Sequence, residues 1–263
     1  MITNNIKKIV AGAIVGSSLL MALTALPVGA QTVGVDVSAS STVNVAARLS
    51  AVITKANSDI AARITDLNNL NTKVQAMVNV SASEKTSISN EVQTNITGLT
   101  ALQAKIDADT VLATAKSDAA TIFTTFRIYA LVIPQGYIEV SADKVNTISS
   151  LMTSLSTKLQ ARITADQNAG DNVASLQTAL TDISTQTTNA NSQAGIAQSG
   201  VVNLTPDQGN KTTAASNQAA LVAARANIKT ASADLKTARQ DIQTILDGLK
   251  SFHATISAST TAQ

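Results

Sequence analysis

The sequence predicts an all-α protein, built as an elongated antiparallel helical bundle or as a set of coiled-coil hairpins. Two observations lead there: apolar residues recur at three- and four-residue spacing over most of the chain, and the connections between these stretches are short. A third observation bounds the chemistry, because the 263 residues include no Cys, no Trp and one His.

The first periodic stretch opens at Asn44 and carries Val45, Leu49, Val52, Ala56, Ile60, Ile64, Leu67, Val74 and then Met77 or Val78, ending near Asn79. That is one apolar seam on a helix about 50 Å long at 1.5 Å per residue. Ser81 and Glu84 have the spacing of a capping box, in which hydroxyl and carboxylate satisfy backbone donors of a new first turn. The helix they open carries Ile88, Val92, Ile96, Leu99, Leu102 and Ile106. Asp107 to Thr110 interrupts it, and a third helix follows through Val111, Ala115, Ala119, Ile122 and Phe126.

A fourth helix is expected to open near Ser141, with a seam of Val145, Ile148, Met152, Leu155, Leu159 and Ile163, and to stop at Gly170 in a left-handed conformation. The fifth carries Val173, Leu176, Leu180 and Ile183 and then thins to Thr187, Ala190, Ala194 and Ala197. For the sixth, Thr205 reads as the cap, Pro206 as the first helical residue, and Asp207 and Gln208 as first-turn partners. Its seam runs Asn217, Leu221, Ala224, Ile228, Ala231, Leu235, Ala238, Ile242, Ile245 and Leu249. The helical bundle is thus expected over residues 44–250, with a frayed tail at 251–263. A faint likeness of Leu70–Ala76 to Leu155–Ala161 is compatible with duplication of a helical unit, and equally with the shared vocabulary of two heptad helices.

Ahead of the bundle, Lys7 and Lys8 precede an apolar run from Ile9 to Leu26, followed by Pro27, Val28, Gly29 and Ala30. This is the pattern of a secretory signal peptide over residues 1–30, cut after Ala30, with residues 31–43 as a flexible leader. An uncleaved anchor is the rival, since the run approaches spanning length; Pro27 and the small residues favour cleavage. No Cys follows the run to carry a lipid. The expected location is therefore secreted, either extracellular or at the cell surface, or the periplasm where the host has an outer membrane.

Removing Lys7 and Lys8 from nineteen basic and seventeen acidic residues leaves seventeen of each sign, so the expected mature chain is neutral. Nucleic acid is not an expected partner, because binding phosphates requires a surplus of cations. Without Cys there are no disulfide staples, and stability must come from helix packing through Ala-rich seams.

The pattern breaks between Ile122 and Val140, where four of the five aromatic residues fall: Phe123, Phe126, Tyr129 and Tyr137. With Leu131 and Ile133 they make up the candidate contact or tongue segment. Ile122, Phe126, Tyr129 and Ile133 would share one face of a helix that ends in a loop. The β-branched run Arg127 to Ile133, followed by Pro134, Gln135 and Gly136, is instead compatible with an extended tongue near 127–140. Both readings stand at this point.

The stretch Lys105–Thr110, the run Phe126–Gln135 and Ala142–Val145 together resemble a group of uncharacterised exported helical proteins of small-genome bacteria. The resemblance covers about forty residues. It implies a bacterial secreted protein and no activity, site or partner.

No catalytic residue, cofactor site or metal site is expected. His253 stands without a Cys or a second metal-spaced ligand, and Asp107, Asp109 and Thr110 lack the further oxygens and glycine of a calcium loop. There is neither a nucleophile elbow nor a phosphate-cradling glycine loop. The expected function is a secreted or cell-surface structural or interaction protein, presenting long helices for adhesion or assembly. Its partner would be a protein, a cell surface or a second copy of itself. The alternative is a membrane-active bundle resembling α-helical pore-forming toxins, whose tongue would be the apolar cluster at 122–140. Protein purified from its native host is expected to begin within two residues of Gln31, and intact-mass measurement that finds Met1 to Ala30 retained would replace a released molecule by an anchored one.

Overall fold

The computed structural model describes residues 45–260, with side chains through residue 252. The expected signal peptide, leader and cleavage site lie outside the described residues, as does the side chain of His253. About 87% of the described residues are helical and none is in a strand. The helices are α1 (Val45–Gln75), α2 (Ala82–Asp107), α3 (Leu112–Thr124), a π-helical turn (Ile128–Val132), α4 (Ile133–Asn168), α5 (Ala174–Val201) and α6 (Lys211–Thr260). They divide into two compact units. One combines residues 45–140 with 200–223, and the other combines 141–199 with the chain from 224 on.

In the first unit α1, α2 and α3 pack on one another. The side chains of α1 bury Ala56, Ile60, Arg63, Leu67, Leu70 and Val74, alternating steps of four and three, which is the seam of a coiled coil. Polar pairs at the edge give the direction of α2: Asn57 Nδ2 donates to Asp107 Oδ1 at 2.7 Å, and at the other end of both helices Gln75 Nε2 donates to Ser89 Oγ at 2.6 Å. The two helices are antiparallel. The capping box forms as expected: Glu84 N–H donates to Ser81 Oγ at 3.2 Å and Ser81 N–H to Glu84 Oε2 at 2.8 Å. The Ser81 hydroxyl also donates to Glu84 Oε2 at 2.6 Å, and this bond, with the one from Ser81 N–H, holds the Glu84 carboxyl below its ordinary value.

The second unit repeats the scheme with smaller side chains. From α6 it buries Ala224, Ile228, Ala231, Leu235, Ala238, Ile242, Ile245 and Leu249, from α5 Leu176, Ile183, Ala190, Ala194 and Ala197, and just before α5 Val173. Each matches the expected seam. Leu176 packs on Gly248, where an added Cβ would lie 2.5 Å from Leu176 Cδ2. Gly170, with φ +98°, ends α4 in the left-handed region, as expected.

Several expectations are corrected. Three seam positions shift by one residue: Arg63 is buried in place of Ile64, Ser149 in place of Ile148 and Ala179 in place of Leu180. The first helix ends at Gln75 rather than near Asn79, and Met77 is buried while Val78 is exposed. The proposed cap at Thr205 does not form, and α6 begins at Lys211. Asn210 is its cap, accepting from Thr212 N–H at 2.9 Å and Thr213 N–H at 3.1 Å. The cause is Asp207, which folds back to accept from Gly209 N–H at 2.8 Å, while Gln208 and Gly209 take φ +50° and +86° and so prevent a helical turn there. At the other end, α6 runs to Thr260, through ten residues of the segment expected to fray.

The extended tongue near 127–140 is also corrected, since this segment is helical throughout after Arg127. The π-helical turn explains how Pro134 is accommodated. Ile133 N–H reaches back five residues to Ile128 C=O, so the wider turn is already in place where Pro134 supplies no donor. The helix expected to open near Ser141 therefore opens at Ile133. Gly136 continues it because α1 comes too close for a side chain: a Cβ there would lie 2.5 Å from Leu70 Cδ2.

Two glycine substitutions separate close approach from mere helix weakening. Gly136→Ala is expected to lower the melting temperature by forcing Leu70 out of its rotamer. Gly195→Ala, within α5 and with nothing within 4 Å of its added Cβ, should raise stability by about 0.8–1.0 kcal/mol. Thermal melts followed by circular dichroism check both, and equal shifts would remove the close contact as the reason for Gly136.

Candidate functional site

The six candidate residues all belong to the first unit, but they do not share one helical face. The chain breaks at Phe126 and Arg127, where Arg127 adopts φ +49° and the helix restarts. The face expected to join Ile122, Phe126, Tyr129 and Ile133 is therefore split. Leu131 is 2% exposed and Ile133 is 4% exposed, so both are core residues alongside Ile122 and Ile128. Phe123, Phe126 and Tyr137 are half-buried, and Tyr129 keeps 41% of its surface.

The Phe126 ring fills the notch at Gly98 of α2, where a Cβ would lie 2.6 Å from Phe126 Cε1. Tyr137 faces Lys73, whose Nζ lies 5.9 Å from the ring centre. Phe123 and Tyr129 meet at Arg63. The guanidinium carbon is 4.7 Å from the centre of each ring, one from α3 and the other from the π-helical turn. Arg63 Nη1 also donates to Asp59 C=O at 2.7 Å, and Tyr129 Oη donates to Asp66 Oδ2 at 2.8 Å. A desolvated cation over an aromatic face is worth about 2 kcal/mol, which makes a charged side chain tolerable at a seam position between Ile60 and Leu67.

Burial lowers Arg63 from its ordinary value, and its charge interactions with Tyr129, Asp59 and Asp66 act the other way. The guanidinium stays charged. The Tyr129 phenol is pushed up to about 12, first by burial and then by its hydrogen bond to Asp66, whose carboxylate disfavours a second negative charge.

A second polar anchor closes the other side of the break. Arg127 Nε donates to Asp207 Oδ2 at 2.5 Å, and Arg127 Nη1 to Phe123 C=O at 3.4 Å. The Asp207 side chain is 5% exposed. Burial alone would raise its carboxyl, but the bonds from Arg127 and the Gly209 N–H outweigh this and hold it below the ordinary aspartate value.

The second unit holds an open groove lined by Ser175, Thr178, Ala179, Thr181, Asp182, Thr185 and Asp241. Two like charges face each other across it, from α5 and α6. Burial and then the hydrogen bond and charge of Asp182 raise the Asp241 carboxyl. Gln186 Nε2 donates to Asp182 Oδ1 at 3.2 Å, and Asp241 Oδ2 is enclosed without a donor. The pair destabilises the neutral-pH state, since ionising Asp241 places its charge beside Asp182.

Sequence reasoning found the aromatic segment and missed its partners. Arg63 carried a readable signal, because it falls at the four-then-three spacing between Ile60 and Leu67. Asp66 and Asp207 carried none, being ordinary acidic residues whose partners lie 63 and 80 positions away. Among the described residues no group of three or more His, Cys, Asp or Glu could hold a metal ion, and Asp107 and Asp109 sit at the end of α2, where Asp107 accepts from Asn57. The chain matches no family model, no curated sequence and no solved structure at a significant level.

The two aspartate sites predict opposite pH responses. Asp207 has a depressed value in the folded state, so its contribution is present at neutral pH and is lost as pH falls through that value. Asp241 has a raised value, so folding gains as pH falls and this carboxyl takes up a proton. Asp207→Asn is expected to melt lower at pH 7, with the gap to wild type closing below the ordinary aspartate value of about 3.9. Asp241→Asn is expected to melt higher at pH 7 and to converge with wild type on acidification. Melts of both variants across pH check the signs; a constant gap for either one removes the corresponding charge from the account.

Proposed function

We propose that this is an exported structural protein that works through its helical surfaces, by adhesion or by assembly with a partner or with copies of itself. The observation that carries the reading is the state of its surface hydroxyls. On exposed faces Thr65, Thr72, Thr86, Thr94 and Thr100 each donate to the carbonyl four residues back in their own helix, at 2.8–3.0 Å. Thr178, Thr181 and Thr185 do the same along the groove of the second unit. A hydroxyl whose donor is already satisfied presents a methyl group and an acceptor outward. Such a face loses little hydration when another helix covers it, whereas Lys and Glu faces lose much. Exposed aliphatic side chains add to it, among them Val45, Val111 and Val222 in the first unit and Leu151 and Ile196 in the second. Export rests on the signal-peptide pattern at residues 1–30.

A membrane-active bundle is the second reading, and its support is the apolar cluster around Ile122 to Val140. For that run to meet a bilayer it would have to leave its packing. Leu131 and Ile133 are core residues, Tyr129 is bonded to Asp66, and Arg127 is bonded to Asp207. No described helix is long and apolar enough to cross a membrane.

One pair of measurements separates the two. The intact protein is expected to show concentration-dependent association by analytical ultracentrifugation, or to cross-link to a surface neighbour in the native culture, and to leave dye-loaded vesicles sealed. Leu131→Glu should lower its melting temperature, because it places a charge in a closed core. Vesicle leakage by wild type that Leu131→Glu abolishes would establish the membrane reading instead.

A further inference from the structure

The surface of the second unit sorts its charges by sign. Leu176 packs on Gly248 and Asp182 meets Asp241, so α5 and α6 run antiparallel along the groove, and one heptad further on the same register sets Asn189 beside Asp234. Asp182 is the only charged residue of α5. No Lys or Arg lines the groove, and Asp182 alone acts on Asp241 by charge.

Cations occupy another flank of α6. Lys229 and Lys236 are exposed and seven residues apart, with Arg225 four residues before the first and Arg239 three residues after the second. At 3.6 residues per turn all four fall roughly 120–180° around the helix from Asp234 and Asp241. None of the four has an ion-pair or hydrogen-bond partner among the described residues. Opposite charges three or four residues apart stabilise a helix, and like charges at those spacings oppose it. Here Arg225 with Lys229 and Lys236 with Arg239 are like pairs, while Asp234 and Asp241 have no cation at either spacing.

The two flanks match in spacing. Lys229 and Lys236 are separated by the same seven residues, about 10 Å of helix, as Asp234 and Asp241. Beside Asp182, the hydroxyls of Thr178, Thr181 and Thr185 are bonded to their own backbone, and an added Cβ at Gly195 would meet nothing within 4 Å. A second helix can therefore approach this face closely.

We propose that copies of this protein associate side by side through the second unit, with the Lys229 and Lys236 flank of α6 in one copy seated on the groove that carries Asp182, Asp234 and Asp241 in the next. The inference rests on the assembly reading above and names the partner as a second copy of the chain. Because the two flanks lie on different sides of one helix, joining them leaves a free groove on one molecule and a free cationic flank on the other. Such a head-to-tail contact continues into a ring or an open series and does not close as a two-fold dimer.

Sedimentation velocity of the intact protein, over a concentration series in 0.01 M and in 1 M salt, tests the contact. Species larger than a dimer are expected at low salt and should recede at high salt, where the screening length falls from about 30 to about 3 Å. Lys236→Gln with Arg239→Gln neutralises the flank, and Asp182→Asn with Asp234→Asn neutralises the groove. All four side chains are exposed or half-buried, so both variants should keep the helical circular dichroism of the wild type. Each should weaken self-association about tenfold. An equimolar mixture of the two variants should form a one-to-one pair that does not grow, since each supplies the face that the other lacks. Association that ignores salt and both double substitutions, or a mixture that fails to pair, overturns the proposal and leaves assembly through other faces standing. A wild type that stays monomeric throughout also overturns it, and leaves adhesion to a foreign partner as what remains of the proposed function. Should a variant fail to fold, the salt series on the wild type decides.

Discussion

The arrangement of the first unit depends on one strained residue. Arg127 holds φ +49°, a conformation that costs a side-chain-bearing residue about 1–2 kcal/mol. It is retained because its own side chain is fastened at both ends of the bend: Nη1 to Phe123 C=O just upstream and Nε to Asp207 on the loop before α6. Without the turn, α3 would run on through Phe126 and Tyr129, with both on one face. With it, Phe126 falls into the Gly98 notch, and Tyr129 meets Arg63 together with Phe123. The restart also sets the phase of α4, which brings Gly136 against Leu70 and Gln135 to Val201. Local strain at one backbone position thus positions the two rings at Arg63 and the contacts of Gln135 and Gly136 together.

Much of the fold was legible because seams of apolar residues at alternating four and three spacing have one economical solution. The seam of α6, from Asn217 to Leu249, matches the buried set residue by residue, and the capping box at Ser81 and Glu84 forms as its spacing implies. The failures fall where a distant partner outweighs a local preference. Thr205, Pro206, Asp207 and Gln208 have the composition of a helix start, yet the charge of Arg127, eighty residues away, claims Asp207, and the cap passes to Asn210. Pro134 and Gly136 have the composition of a turn, yet the π-helical turn removes the need for the donor Pro134 lacks, and Leu70 requires the missing Cβ at Gly136. The seam position shifted to Arg63 because two aromatic rings and the Asp59 carbonyl lie close to its guanidinium, which period alone does not reveal. The candidate site was legible as a segment and not as a set of contacts.

The same low-bulk composition bears on how the protein meets others. Seams lined by Ala190, Ala194, Ala197, Ala231 and Ala238 bury little area per residue, so stability has to accumulate along the length of the helices. Long helices with narrow seams leave most of their circumference outside. In many soluble helices that remainder is charged, which keeps molecules apart and makes each contact costly to dehydrate. Here the charged fraction of the chain is 14%, and the outward residues include threonines whose hydroxyls are already bonded to their own backbone. The packing economy that makes each unit depend on length also leaves a surface with few strongly hydrated groups, and contact with another helix then costs little desolvation. Narrow seams and readily covered faces are two outcomes of one composition.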